Sequence, residues 1–102
     1  MNKLKRNGKV AVIYRNDYGA GWSTWNPNYP DIAFDAGTVQ LIEEEEFDQL
    51  KTYLALKYPN AHLGNLESLS IEWLPEDTEF VITEYDGIET IVLKNDIIWM
   101  KA

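Results

Sequence analysis

Cysteine is absent from the 102 residues, and histidine occurs once, at His62. The first absence excludes disulfides and every zinc or redox site built on thiolates. The second removes the paired imidazoles on which most transition-metal centres depend, so no metal and no other cofactor is expected. Positive charge is also scarce: nine Lys and Arg stand against 17 Asp and Glu, for a net charge of −8. Nonspecific nucleic-acid binding rests on neutralising phosphates, so that partner class is disfavoured. No apolar run approaches the ~18 residues of a membrane-spanning helix, and the basic start Met1 to Gly8 is not followed by the apolar stretch of a signal peptide. A membrane partner is therefore not expected, and a reducing cytoplasm is the expected location.

What the chain does have is aromatic weight: 13% Phe, Trp and Tyr, including four Trp and six Tyr. Hydrophobic residues at 45% and charged residues at 25% are ordinary globular values, and the length suits one domain over 1–102, with residues 1–8 expected as a frayed basic terminus. The aromatics concentrate in Tyr18-Gly19-Ala20-Gly21-Trp22-Ser23-Thr24-Trp25-Asn26, which follows neither helical nor strand periodicity. With Asn26-Pro27 and Tyr29-Pro30 beyond it, the segment from Asn16 to Pro30 reads as one long shaped loop.

Around that loop the pattern is regular. Val10 to Tyr14 is a short β-branched run, the mark of a buried strand. Asp35 is placed to cap a short helix over roughly Ala36 to Ile42, although Gly37 weakens it. Phe47, Leu50, Leu54 and Tyr58 recur at helical spacing, with Glu44 to Glu46 at the favourable end of the dipole and Pro59-Asn60 as the stop. Strand signals follow at Ser70 to Leu74, Phe80 to Tyr85, Glu89 to Leu93 and Ile97 to Met100, the middle two joined by the hairpin dipeptide Asp86-Gly87. The order predicts an α+β fold: a single antiparallel sheet of four to five strands, with a helical pair inserted after the first strand and packed on one face.

Two functions suit the loop. As a cradle, Gly19 and Gly21 would shape backbone N–H groups around an anion, Ser23, Thr24 and Asn26 would add hydrogen bonds, and Tyr18, Trp22 and Trp25 would stack on a planar ring. Arg15, the last of five early cations with Lys3, Lys5, Arg6 and Lys9, would pair with a phosphate or carboxylate. As plain structure, the indoles would close the end of a small core and Arg15 would be a solvated surface residue. Among other candidates, Glu43 to Glu46 suit helix-start stabilisation or a basic partner better than a converging metal site. Ser23, His62 and a carboxylate match no nucleophile-elbow pattern. Asp31, Asp35, Glu72 and Glu84 are too ordinary in placement to mark an acid–base pair.

At Gly-Ala-Gly-Trp-Ser-Thr-Trp-Asn, together with Ala33-Phe34-Asp35, Ile71-Glu72-Trp73-Leu74-Pro75-Glu76 and Glu84-Tyr85-Asp86-Gly87, the chain resembles small uncharacterised proteins of tailed bacteriophages over most of residues 9 to 100. The resemblance implies an accessory phage product of the bacterial cytoplasm that counters host defence, by holding a nucleotide-derived signal or by binding a host protein. Three functions thus stand as expectations. The first is a non-catalytic protein binding a nucleotide-derived small molecule through Arg15 and residues 18 to 26. The second is an acidic module that inhibits a host protein, and the third is a small nucleotide or sugar hydrolase. A homo-oligomer is expected, through a sheet edge or an apolar patch.

Overall fold

In the computed structural model, which describes residues 3–96 and 101–102, Asn7 and Gly8 both take positive φ (51° and 75°). That left-handed pair is the favoured two-residue hairpin turn, and it joins β1 (Lys5–Arg6) to β2 (Lys9–Arg15). The basic start therefore forms an edge strand at Lys5–Arg6 instead of fraying there. On its other side β2 pairs antiparallel with β3 (Leu69–Pro75), in a register running from Lys9 opposite Pro75 to Arg15 opposite Leu69. Asp86 and Gly87, at φ 51° and 84°, make the second such turn, between β4 (Phe80–Tyr85) and β5 (Ile88–Leu93).

The two helices, α1 (Ala36–Glu43) and α2 (Phe47–Lys57), are inserted between β2 and β3 as the periodicity predicts. Ala11 and Ile13 share one face of β2 and one core with Val39, Leu50, Leu54, Trp22 and Ile32. Leu50 and Leu54 keep no exposed surface, and burying a side chain of that size contributes ~1.5–3 kcal/mol. Val10 and Val12 point the other way and are also buried, beside Leu74, Phe34 and Phe80.

The expected single sheet is corrected here: β1, β2 and β3 form one sheet, and β4 and β5 form a separate two-stranded one. At the end of β3, Glu76 N–H still bonds Gly8 O, but Asp77 turns left-handed at φ 67° and redirects the chain. The hairpin then lies across the second face of the sheet, where Val10, Val12 and Leu74 need cover. Val10 to Ile13 is an unbroken apolar run, which signals a strand covered on both faces. The expected strand Ile97 to Met100 falls outside the described residues.

Candidate functional site

Arg15 ends β2 and points to the helix side of the sheet, where it is 1% exposed. Its Nε donates to Ser68 Oγ (2.8 Å), Nη1 to Ala20 O (2.6 Å), and Nη2 to Leu63 O (2.6 Å) and Asn65 O (3.0 Å). The guanidinium also lies 5.5 Å from the Trp22 ring centroid. Gly64 makes room for it, since a Cβ there would come within 2.8 Å of Nη1. Burial pushes the Arg15 pKa down, with Glu89 and Asp17 opposing that shift. The cation expected to hold a ligand instead ties the aromatic loop to the chain around Asn65.

The edge of β2 beyond β1 is closed by Glu89 of β5, whose side chain is fully buried. Ala11 N–H bonds Leu4 O on that edge, and N–H groups two and four residues along a strand face the same way. Arg15 N–H accordingly meets Glu89 Oε1 at 2.9 Å, while Oε2 accepts from Thr24 N–H (3.1 Å) and Thr24 Oγ1 (2.6 Å). One carboxylate thus joins hairpin, strand and loop. Nothing in the alternation of Glu84 and Glu89 distinguishes this acid from a solvated one, so sequence alone did not find it.

The rest of the predicted loop divides between interior and surface. Trp22 has no exposed surface and its Nε1 donates to Ile32 O at 3.1 Å. Asn26 is buried and bonds the backbone of His62 twice, Nδ2 to His62 O (3.1 Å) and Oδ1 from His62 N–H (2.7 Å). Gly21 is packed so that a Cβ would crowd Thr24 and the Trp25 ring, and a Cβ at Gly87 would overlap the Gly19 carbonyl. Facing water are Tyr18 at 77% exposure and Trp25 at 40%, with Ser23 half-buried. Trp25 meets the His62 ring edge-on at 6.2 Å. Beside Ser23 and Thr24 opens a shallow groove of about 450 Å³ against Pro27, Pro30, Phe34 and Val81.

No family model, curated protein or solved structure matches this chain.

A second hollow of about 450 Å³ lies between Asp31, Phe34 and Gly37 on one side and Tyr53 and Lys57 on the other. Its floor is Asp35, the cap of α1. The Asp35 carboxylate accepts from Thr38 N–H (2.9 Å), Thr38 Oγ1 (2.7 Å), Tyr53 OH (2.8 Å) and Tyr58 OH (3.0 Å), and forms an ion pair with Lys57. Burial pushes this carboxyl up, but the bonds from Lys57, Thr38 and Tyr53 outweigh burial and hold it below the usual carboxylate range. Lys57 is raised, chiefly by its bond to Asp35, and burial together with the Asp35 charge raises the Tyr58 phenol. With every lone pair engaged, Asp35 is equipped to pin α1 to α2 and poorly equipped to exchange protons. Among the described residues, no group of three or more His, Cys, Asp or Glu converges as a metal site.

Two of the early cations, and Lys94 later in the chain, are paired as well. Lys5 pairs with Glu76 (2.5 Å), Lys94 pairs with Glu79 (2.5 Å), and Arg6 forms a bidentate pair with Glu43 (2.7 Å to each oxygen). With Arg15 enclosed and Lys5 and Arg6 paired, the local positive field that the sequence suggests beside the loop is reduced to Lys3, which lies over the Phe34 ring at 4.4 Å, and exposed Lys9.

Proposed function

We propose that this protein is a non-catalytic acidic interaction module that docks a basic segment of another protein. The observation that carries it is the fate of the cations. With Arg15 enclosed, and with Lys5, Arg6, Lys57 and Lys94 paired to carboxylates, the charge left on the surface is mainly negative. The groove beside Ser23 gives such a segment an apolar anchor point, and Tyr18 and Trp25 stand in water as the residue types that dominate interface energetics. Negative charge elsewhere would steer the partner in and set its orientation.

Glu45 adds support. Among the described residues with positive φ it is the one that is neither Gly, Asn nor Asp (φ 57°). A left-handed non-glycine residue costs roughly 1–2 kcal/mol, and the side chain carried there is an exposed carboxylate. In the setting implied by the resemblance to phage proteins, the partner is a host protein held out of action.

Affinity capture from bacterial lysate tests this, run at about 50 mM and about 500 mM salt, where screening of surface charge differs several-fold. The expected result is a basic protein retained at low salt, released at high salt, and lost with Trp25→Ala. Capture insensitive to both salt and Trp25→Ala would remove the proposal.

A second function keeps one specific observation: the same groove has the volume of a small-molecule site. A nucleotide-derived ligand there would stack on Phe34 and bond Ser23. Native mass spectrometry of the purified protein separates the two functions, since a co-purifying small molecule favours this one.

A further inference from the structure

Alternation along the β4–β5 hairpin turns one face to the body and one to solvent. The body-facing side includes Glu89, fully buried, and Phe80, whose ring meets Phe34 edge-on at 6.2 Å. The outward side consists of three cross-strand pairs, Val81–Val92, Thr83–Thr90 and Tyr85–Ile88. Val81 is 50% exposed and Tyr85 is 78% exposed. None of the six is charged, in a chain of net charge −8. The nearest charges at the open end of the hairpin, Glu79 and Lys94, cancel each other as an ion pair.

We infer that this face is the contact between two copies of the chain, packed sheet to sheet about a two-fold axis near the Thr83–Thr90 pair. In a symmetric contact the same patch serves both copies, so a charge near the axis would confront its own equivalent. A molecule this acidic repels its copy over most of its surface, and an uncharged face is where two copies approach at least cost. A basic partner has no electrostatic reason to choose it, and of its six residues only Val81 also lines the groove beside Ser23. The residue types fit as well, because β-branched and aromatic side chains on a pleated face interdigitate with those of a facing sheet ~10 Å away.

Size sets the strength. Two six-residue strands span about 20 Å by 10 Å, so two copies hide several hundred Å², below the ~1,200 Å² of a standard specific complex. The dimer is therefore reversible and concentration-dependent.

Sedimentation equilibrium from about 10 μM to about 1 mM, a range that brackets affinities of this class, reads the outcome directly. The mass should rise from 11.8 kDa toward twice that value. Thr83→Glu and Thr83→Lys should each weaken association at least tenfold, because each sets like charges against one another across the axis. An equimolar mixture of the two should recover the heavier species, which a misfolded variant could not do. A wild-type protein that stays monomeric throughout, a Thr83→Glu variant that associates normally, or a mixture that fails to recover would each overturn the inference.

Discussion

Arg15 concentrates the chemistry of the loop in one side chain. Its guanidinium has five N–H donors, and the four bonds it makes reach two separate segments, at Ala20 and from Leu63 to Ser68. Lysine, a point charge with three donors, cannot reproduce that planar spread. Arg15→Ala would leave several carbonyls without a donor and Glu89 without its nearby positive charge, so it is expected to cost about 3–5 kcal/mol, a large share of a small domain's stability. Arg15→Lys should recover only part of the loss. Urea unfolding followed by circular dichroism measures both, and a cost below 1 kcal/mol for Arg15→Ala would show that the bonds are replaceable by water. Trp25 gives the contrast: at 40% exposure its replacement by Ala should change stability little, whereas Trp22→Ala in the core should cost about 3–5 kcal/mol.

Asp35 makes a prediction in pH. Its carboxyl is held below its ordinary value in the folded protein, so its contribution is present above an unfolded pKa of ~3.9 and is lost as pH falls through the folded value. Lys57 and Tyr58 are raised, so their contribution is complete below their unfolded values of ~10 and fades as pH climbs past them. Asp35→Asn should lower stability by about 2–3 kcal/mol near neutrality, and the difference from wild type should shrink below about pH 4. Denaturant midpoints taken from pH 3 to pH 8 check this; a constant offset across that range would mean that the carboxylate charge is irrelevant.

Among the elements, the joint between α1 and α2 carries visible strain. Glu46 N–H returns to Leu41 O and Glu45 N–H to Ile42 O, the paired bonds of a Schellman cap whose left-handed position is ordinarily glycine. Glu45→Gly is expected to raise stability by about 1 kcal/mol, and Glu45→Gln, which removes the charge but keeps the Cβ, to give a fraction of that. Thermal melts of the two variants separate backbone strain from charge repulsion. The same joint shows how far sequence pattern reaches. The spacing of Phe47, Leu50, Leu54 and Tyr58 located α2, and Asp35 was recognisable as a cap, because both signals are local. The four glutamates gave no sign that Glu43 ends one helix and pairs with Arg6 of β1, 37 residues away. Arg15 and Glu89 were illegible for the same reason: apart from Ala20, the partners that define each lie more than 45 residues away, and an isolated Arg before a loop looks the same whether enclosed or wet. The division into two sheets did have a local trace, in the unbroken apolar run of β2, which calls for cover on both faces.

For the whole molecule, charge is the variable that function and stability share. The exposed ion pairs of Lys5, Arg6 and Lys94 are each worth little, since such pairs typically contribute ~0–1 kcal/mol. Against them stand carboxylates such as Glu44, Glu45, Glu46 and Asp48, crowded on one short stretch without ion partners among the described residues. Screening weakens both contributions, but repulsion summed over a net charge of −8 outweighs a few surface pairs. Adding sodium chloride from about 10 mM to about 300 mM, which shortens the Debye length from ~30 Å to less than 10 Å, should raise the melting temperature by several degrees. Sucrose at matched osmolality serves as the uncharged control. A melting temperature that falls with salt would mean that the ion pairs dominate and that the surface is less negative than the pairing implies, and the case for a basic partner would weaken with it.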